Sequence, residues 1–322
     1  MLDPAPICSA SPAKLRCARD PLVVVENISK SYGPTTAIAG VTLSLWTGEI
    51  WGFVGANGAG KTTTLRMLAG ILRPDGGAGH VLGFDLQRDA ARIRERVGYM
   101  SQRLSLYAEL SVFENLRFHA EVYGLKNPRA EIEAIIREFG LVPWTHSPAG
   151  SLSGGWARRL QLAASLIHSP RLVLLDEPTA ALDAAARQEV WRRIERLAVA
   201  GAGVIVCTHD LVEAERCSQT AFFAEGQVVA AGAPGEIAAA SPAAVFELSG
   251  TDVRLLANEV TAVAGVVASY PQGAVLRVVA DPVAELDLRH FAAVHAASLA
   301  RAGTRLEDAI LGWSLPIRMR QT

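Results

Sequence analysis

Apolar runs and alternating stretches along the chain predict a mixed α/β fold. Three apolar runs occur at residues 50–54, 172–175 and 204–208, the last of which ends in Thr208. Such runs are typical of strands buried on both faces of a parallel sheet. Residues 22–28 predict a first strand, residues 29–34 a turn, and the alternation in residues 41–46 predicts an antiparallel strand with one exposed face. Apolar positions at helical spacing in residues 112–119 and 132–139 predict a mainly helical insertion.

Composition and proline positions divide the chain into three predicted parts. Residues 1–20 contain three prolines and no continuous apolar core, which predicts a loose tail and not a secretory signal. Residues 21–240 form the predicted main domain, whose helical part spans about residues 96–166. Residues 241–322 predict a small α/β domain with a strand at residues 275–279.

Overall composition narrows the functional classes. The chain has 322 residues, of which 50% are hydrophobic and 20% charged, as in globular proteins. The net charge of −1 gives no electrostatic basis for binding nucleic acid. No apolar run approaches the roughly 18 residues that span a bilayer. The four cysteines form no CxxC pair, so neither a zinc site nor a disulfide framework is indicated and a reduced, cytosolic setting is expected.

Between the predicted strand at residues 50–54 and a helix lies a glycine-rich stretch that fits G-x-x-x-x-G-K-[ST]. Gly55, Gly58 and Gly60 let the backbone N–H groups converge on an anion, and the helix start adds positive potential. Lys61 is placed to reach the β- and γ-phosphates, and Thr62 to hold Mg²⁺. The alternative is a glycine-rich turn with a chance lysine, but the flanking strand and helix favour the phosphate loop.

Two predicted central strands end in residues that can do chemistry. Asp176 and Glu177 follow the run at residues 172–175, at the edge where open α/β sheets bind ligands. Asp176 can bind Mg²⁺ directly or through water, and Glu177 can act as a general base. His209 follows the next strand and could contact a γ-phosphate. The alternatives are two acids that cap a strand and a structural histidine.

A second potential anion site lies at the start of a predicted amphipathic helix. Ser153, Gly154 and Gly155 precede that helix and leave backbone N–H donors free. If two chains pair head to tail, this site could cover the nucleotide held by the phosphate loop of the first chain. An ordinary Ser/Gly helix start is the alternative.

These motifs occur in one order: Tyr32, the phosphate loop, Gln102, Leu152-Ser153-Gly154-Gly155, Asp176-Glu177, Ala181-Leu182-Asp183 and His209. Over about residues 22–240 the chain resembles the nucleotide-binding subunit of an ABC transporter. The Leu-Ser-Gly-Gly string is the specific element, since other P-loop enzymes lack it. The resemblance implies an α/β P-loop (RecA-like) core with an antiparallel β subdomain and a helical subdomain, and ATP and Mg²⁺ as cofactors.

The resemblance also assigns roles by position. Tyr32 would stack on adenine, and the phosphates would be wrapped by Gly55, Asn57, Gly58, Gly60, Lys61, Thr62 and Thr63. Thr62, Gln102 and Asp176 would hold Mg²⁺. Glu177 would be the catalytic base and His209 the γ-phosphate switch, with Gln102 and Lys61 completing the catalytic set. The γ-phosphate held by the other subunit would be bound by Ser153, Gly154 and Gly155. Asp183 would communicate across the dimer.

Three positions depart from the family pattern. Trp156 stands where the family usually has Gln or another polar or smaller residue. Ala181 replaces a frequent Gly, and Ala56 a frequent Pro. None of these changes removes a chemical group that the mechanism needs, although Trp156 could alter packing of the dimer.

Residues 104–116 and 123–125, and more weakly residues 306–311, resemble ATPase subunits of ABC-2 type exporters related to the daunorubicin exporter. The resemblance implies a homodimer with ATP at its interface and a separate integral-membrane permease. The protein would then lie in the cytoplasm, peripheral on the inner face of the cell membrane, and power export of drugs or other hydrophobic compounds. A groove with Leu104, Leu106, Tyr107 and Leu110 is the predicted site for a permease helix, unless these residues are core.

Two other functions stay open. The first is a soluble ABC-type ATPase that acts on ribosomes or DNA; the single phosphate loop, the lack of sustained heptads and the lack of basic excess count against it. The second is a regulatory binding module with an inactive ATPase; the presence of Lys61, Glu177 and His209 counts against it.

Overall fold

A computed structural model describes residues 21–313, so the predicted tail at residues 1–20 lies outside the described residues. The chain divides into two compact units between Val228 and Val229. This division comes before the expected boundary after residue 240, because helix Pro234–Ala239 packs with helix Leu306–Trp313 in the second unit. Among residues 21–313, no helix is long and apolar enough to cross a membrane.

A mixed ten-stranded sheet is the main feature of the first unit, and the division after Val228 falls within the last of its strands along the chain. Its strands are β1 (Pro21–Tyr32), β2 (Thr35–Trp46), β3 (Ile50–Gly55), β4 (Gly76–Val81), β5 (Phe84–Asp85), β6 (Val97–Met100), β7 (Leu172–Asp176), β8 (Gly203–Cys207), β9 (Gln219–Ala224) and β10 (Gln227–Gly232). The order across the sheet is β5-β4-β1-β2-β10-β9-β3-β8-β7-β6. Strands β1, β2, β4 and β5 pair antiparallel, whereas β9, β3, β8, β7 and β6 pair parallel.

The parallel half explains the apolar runs. Every residue of β7 and of β8 is buried, as expected for strands with elements packed on both faces. Asp176 is paired with Cys207, and Cys207 with Phe53, so β7, β8 and β3 end at one edge of the sheet. This edge brings together the loop after β3 and the residues that follow β7 and β8.

Seven helices accompany this sheet in the described part of the first unit: α1 (Lys61–Leu68), α2 (Ala90–Arg94), α3 (Val112–Val122), α4 (Arg129–Glu138), α5 (Gly154–Leu166), α6 (Ala184–Val199) and α7 (Leu211–Ala214). Helices α3, α4 and α5 form the helical part and share a core that includes Leu116, Ile136 and Leu160. Strand β6 pairs with β7 in the main sheet, so the helices begin at Val112, later than residue 96. A capping box of Ser111 and Glu114 starts α3.

The predicted turn at residues 29–34 is wrong for its first four residues, which extend β1. Tyr32 pairs with Thr35, and only the Gly33-Pro34 step turns the chain. Asp75 stabilises the extension, because it accepts hydrogen bonds from Lys30 Nζ at 2.6 Å and from the Ser31 amide at 2.8 Å. These contacts come from a segment about 45 residues away along the chain, beyond the reach of local turn chemistry.

The second unit contains α8 (Pro234–Ala239), β11 (Ala244–Ser249), α9 (Ala257–Thr261), β12 (Val266–Gln272), β13 (Val275–Ala280), α10 (Glu285–Val294), β14 (Ser298–Ala302) and α11 (Leu306–Trp313). Its four strands form an antiparallel sheet in the order β12-β13-β11-β14. The β-α-β-β-α-β sequence from β11 to β14 with this order is the ferredoxin-like arrangement. Helix α11 is tied to the sheet by Asp308, which pairs with Arg277 of β13 at 2.7 Å.

Candidate nucleotide site

The loop between β3 and α1 has a backbone that only glycine accommodates at two positions. Gly55 and Gly60 have φ angles of 146° and 106°. A Cβ atom on Gly55 would collide with the carbonyl oxygen of Phe223, and one on Gly60 with the Ile38 side chain. Glycine at these positions therefore allows the loop to curl tightly over the end of the sheet.

Lys61, the first residue of α1, is 7% exposed, and its ammonium lies inside the curled loop. Its Nζ donates to the carbonyls of Gly55 at 2.6 Å and Ala56 at 2.9 Å. Because these are neutral acceptors, the charge of Lys61 is not neutralised by them and can attract phosphate oxygens.

Thr62 and Asp176 meet across the sheet edge. Thr62 Oγ1 donates to Asp176 Oδ1 at 3.1 Å, and Asp176 Oδ2 is buried without a hydrogen-bond partner among the described residues. Burial raises the pKa of Asp176, and the charge of Glu177 adds to this, against the Thr62 hydrogen bond and the charge of Lys61. A hydroxyl beside a carboxylate with an unused oxygen fits Mg²⁺, which prefers hard oxygen ligands. Among residues 21–313, no group of three or more His, Cys, Asp or Glu could hold a metal, so nucleotide oxygens would have to complete such a site.

Glu177 and His209 form a pair beside this edge. His209 Nδ1 lies 2.9 Å from Glu177 Oε1, and the Glu177 side chain is largely buried. The Glu177 backbone has a φ of 53°, which an L residue other than Asn or Asp rarely adopts. Its amide donates to the Cys207 carbonyl at 3.0 Å, so the end of β8 holds this strained residue in place.

A cavity of about 310 Å³ brings these groups together; it is lined by Asn57, Gly58, Gly60, Lys61, Thr62, Thr63, Gln102, Asp176 and Glu177. His209 is not among the lining residues, but its ring contacts Glu177, which is. Tyr32 and Asp183 do not line it. Tyr32 is half exposed at the end of β1, and Asp183 caps α6 by accepting a hydrogen bond from the Ala186 amide at 2.8 Å. A larger cavity of about 610 Å³, bordered by α4 and α6, contains none of the predicted site residues.

The Leu-Ser-Gly-Gly string also lies outside the cavity. Ser153 is the N-cap residue of α5, and its side chain makes no capping hydrogen bond. Ser153 and Gly154 are exposed, and no heavy atom lies within 4 Å of a Cβ built on Gly154. The start of this thirteen-residue helix is therefore exposed, and its first N–H groups have no intrahelical acceptor.

Trp156, the departure from the family pattern, packs within its own chain. Its ring lies 6.0 Å from that of Trp144, and the Arg159 guanidinium lies over it at 4.6 Å. Arg159 in turn pairs with Glu189 of α6 at 2.6 Å. These contacts give the indole ring a packing role in the helical part.

Two residues that the sequence reasoning missed hold the segment of Gln102. Arg158 and Gln161 of α5 are buried and donate hydrogen bonds to backbone carbonyls at Ser101, Gln102 and Arg103. The signal was present: polar residues three apart on a helix face that is otherwise apolar.

Comparisons with known proteins agree with this geometry. The family model described as ABC transporter matches residues 38–180. The probable multidrug ABC transporter ATP-binding protein YbhF of Escherichia coli (strain K12) is 39% identical over 223 residues, which cover 68% of this chain and 38% of that protein. The daunorubicin resistance ATP-binding protein DrrA3 of Streptomyces coeruleorubidus is 36% identical, with 68% of this chain and 71% of that protein covered. This chain belongs to the ATP-binding proteins of ABC transporters.

Solved structures of ATP-binding subunits share the fold of this ABC protein. One described as the ATP-binding subunit of an ABC transporter aligns with a TM-score of 0.63 and 30% identity, covering 67% of this chain and 91% of that one. A dimeric ATP-binding cassette in a post-hydrolysis state, bound to ADP and Pi, shares the fold with a TM-score of 0.62 at 23% identity, covering 66% of this chain and 98% of that one. The predicted fold of the main domain and the predicted family, the ATP-binding proteins of ABC transporters, are confirmed. The chain spans less than half the length of YbhF.

Proposed function

We propose that this ABC protein binds and hydrolyses ATP as a homodimer and thereby powers a separate membrane permease that exports drugs or other hydrophobic compounds. The observation that carries the proposal is the separation of two anion sites in one chain. Lys61, Thr62, Asp176 and Glu177 line one cavity, whereas the start of α5 faces open space outside it. Each chain thus supplies two different halves of a nucleotide site.

Each residue of the cavity has a distinct role in binding or hydrolysing ATP. The loop N–H groups and Lys61 bind the β- and γ-phosphates, with Lys61 exchanging loop carbonyls for phosphate oxygens. Thr62, Asp176 and Gln102 would hold Mg²⁺, which when bound neutralises charge on the phosphate oxygens. Glu177 takes a proton from the attacking water. His209, whose Nδ1 lies 2.9 Å from Glu177 Oε1, orients the Glu177 carboxylate and contacts the γ-phosphate. Tyr32, half exposed beyond the loop, stacks on adenine.

The second half of each site comes from the partner chain. Ser153, Gly154 and Gly155 of one chain bind the γ-phosphate held by the other, since helix N-termini favour anions. Asp183, at the start of α6, lies on the same dimer interface. The dimeric state of the solved cassette with this fold supports the arrangement.

An exposed aromatic patch is the proposed contact with the permease. Leu104 and Tyr107 are 51% and 44% exposed, and Tyr107 stacks edge-on against the partly exposed Phe118 at 4.8 Å. Leu106 instead packs against the core, and Leu110 is half-buried. A permease in the cell membrane that presents an apolar helix here would place this protein in the cytoplasm, on the inner face of the membrane. The names of the relatives, which concern multidrug transport and daunorubicin resistance, support an exporter.

The dimer and the catalytic base are tested together by Glu177→Gln. Hydrolysis is expected to fall by about 10³-fold, because general bases contribute roughly 10²- to 10⁴-fold. Since ATP is bound but not consumed, light scattering should show a dimer with ATP and a monomer with ADP. A variant that remains monomeric at saturating ATP would overturn the shared site.

The permease contact is tested on the same protein. Tyr107→Glu should abolish co-purification with the proposed membrane permease, because a charge in an apolar contact is costly to desolvate. The ATPase rate of the isolated protein should stay unchanged. Retained co-purification would exclude the patch as the contact.

A further inference from the structure

Helix α5 carries two buried polar side chains within two turns after the Leu-Ser-Gly-Gly string. Arg158 and Gln161 are 8% and 3% exposed. Their spacing of three residues places them on one face of the helix. Buried polar and charged groups are costly unless they are hydrogen-bonded, so the partners of this pair indicate its role.

Their partners are three successive backbone carbonyls after β6. Arg158 Nη2 donates to the Gln102 carbonyl at 2.6 Å, and Nη1 to that of Ser101 at 3.2 Å. Gln161 Nε2 donates to the Arg103 carbonyl at 2.8 Å and to that of Ser101 at 3.1 Å. Arg158 Nη1 also donates to Gln161 Oε1 at 2.9 Å. We call these two side chains with the three carbonyls the α5 clamp.

The clamp holds the backbone of a residue that lines the nucleotide cavity. Gln102 lines that cavity together with Thr62 and Asp176. Because its carbonyl and both flanking carbonyls are tied to α5, a shift of Gln102 toward bound nucleotide or Mg²⁺ must be shared by α5 or must break the clamp.

The charge of Arg158 adds a second link to the cavity. Burial lowers the pKa of its guanidinium, and the negative charges of Asp176 and Glu177 oppose that shift. The guanidinium therefore lies within electrostatic reach of both cavity carboxylates. Ligands that change the charge at this edge change the field that holds Arg158.

We propose that Arg158 and Gln161 are positioning residues that couple the filling of the chain's own nucleotide cavity to the placement of the Ser153-Gly154-Gly155 helix start. A helix transmits displacement along its axis, and Arg158 lies within about two turns of that helix start. The inference rests on the proposed function, because the helix start has a nucleotide to meet only in the dimer. The clamp then makes each chain present its half-site to the partner when its own cavity is occupied.

A purely structural clamp and a coupling clamp predict different results. Loss of a structural clamp lowers stability and leaves the balance between nucleotide binding and dimerisation unchanged. Loss of a coupling clamp leaves ATP binding to the phosphate loop intact and weakens ATP-dependent dimerisation.

The test uses Arg158→Met in the full chain carrying Glu177→Gln. ATP affinity is measured with a fluorescent ATP analogue at protein concentrations below dimerisation, and the dimer constant by sedimentation with saturating ATP. ATP affinity should stay within about twofold, whereas dimerisation should weaken by about tenfold or more, because hydrogen bonds to charged groups contribute roughly 1.5–3 kcal/mol. Equal loss in both measurements, or in neither, would overturn the coupling.

Arg159→Met is the matched control, since Arg159 is the next residue of α5 but contacts Trp156 and Glu189. Its dimer constant should stay within about twofold of the parent value, as for sites that share no partners. If Arg158→Met does not fold, Gln161→Leu takes its place in the same two measurements. Its dimerisation should weaken by about threefold, and its ATP affinity should stay unchanged. A Glu177→Gln parent that fails to dimerise would overturn the proposed function, whereas a dimerising parent with an unaffected clamp variant overturns the coupling alone.

Discussion

Two buried aspartates, one in each compact unit, differ in how completely they are hydrogen-bonded. Asp176 is 2% exposed, accepts one hydrogen bond from Thr62 and keeps a buried oxygen without a partner among residues 21–313. Asp308 is fully buried and accepts hydrogen bonds from Arg277, from Tyr270 Oη at 2.5 Å and from the Arg305 amide at 2.8 Å. An incompletely bonded carboxylate leaves room for a ligand, whereas a satisfied one holds the fold.

The pKa shifts of the two carboxyl groups have opposite signs for this reason. Burial raises the pKa of Asp176, and its single hydrogen bond from Thr62 does not compensate. Burial acts in the same direction on Asp308, but the hydrogen bonds from Arg277, Tyr270 and Arg305 outweigh it and leave the pKa below its ordinary value. One carboxylate is therefore held at a cost to stability and the other contributes to it.

The largest effect is expected from Asp176→Asn on activity. Hydrolysis should fall by about 10³-fold, or roughly 4 kcal/mol, because the ligand that would hold Mg²⁺ loses its charge. The free energy of unfolding should stay within about 1 kcal/mol or rise, since an incompletely bonded buried charge is removed. Steady-state ATPase rates and urea unfolding measure the two effects. A variant that keeps the ATPase rate of the parent would show that Asp176 is not part of the catalytic site.

Asp308→Ala should act on stability instead. It leaves Arg277 buried with its main ionic partner gone, which typically costs about 3–5 kcal/mol. Hydrogen exchange of β13 should report this loss, while ATP affinity of the phosphate loop stays unchanged. Asp287→Ala, an exposed aspartate of α10, is the control and should change exchange little. Unchanged protection of β13 in Asp308→Ala would contradict the assigned role.

The contrast also shows what the sequence could predict. The runs at residues 50–54, 172–175 and 204–208 became β3, β7 and β8, because a parallel strand buried on both faces must be apolar throughout. That pattern was sufficient to predict that Asp176 and His209 lie at one sheet edge.

The parts that were missed depend on partners distant in the chain. Ser29–Tyr32 extend β1 because β2 and Asp75 pair with them, although their residue types favour a turn. The spacing of Arg158 and Gln161 is visible in the sequence, but their partners are backbone carbonyls, which every residue carries, so the sequence does not identify these partners. Arg277 and Asp308 are 31 residues apart, and only the folded sheet brings them together. Local patterns thus predicted strands and motifs, whereas the contacts that position them required the structure.

Lys61→Ala extends the comparison of the two units to their buried cations, Lys61 and Arg277. Lys61 is held by two neutral carbonyls, whereas Arg277 is neutralised by carboxylates, so only Lys61 has charge available for a ligand. Affinity for ATP should fall by about 10- to 100-fold, the worth of one or two charge-assisted hydrogen bonds. Calorimetric titration measures the loss, with Lys30→Ala, paired with Asp75 outside the cavity, as the control. Equal affinity in both variants would exclude Lys61 from phosphate binding.

The smallest expected effect is the response of the second unit to acid. Because the folded-state pKa of Asp308 is lowered, its contribution to stability is complete above the unfolded pKa near 3.9 and is lost as pH falls through the folded value. Protection of β13 against hydrogen exchange, corrected for the intrinsic rate, should therefore weaken below about pH 4. Asp308→Asn cannot titrate, so its difference from the parent should shrink over the same range. A difference that stays constant from neutral pH to pH 3 would show that the Arg277 contact does not depend on the charge of Asp308.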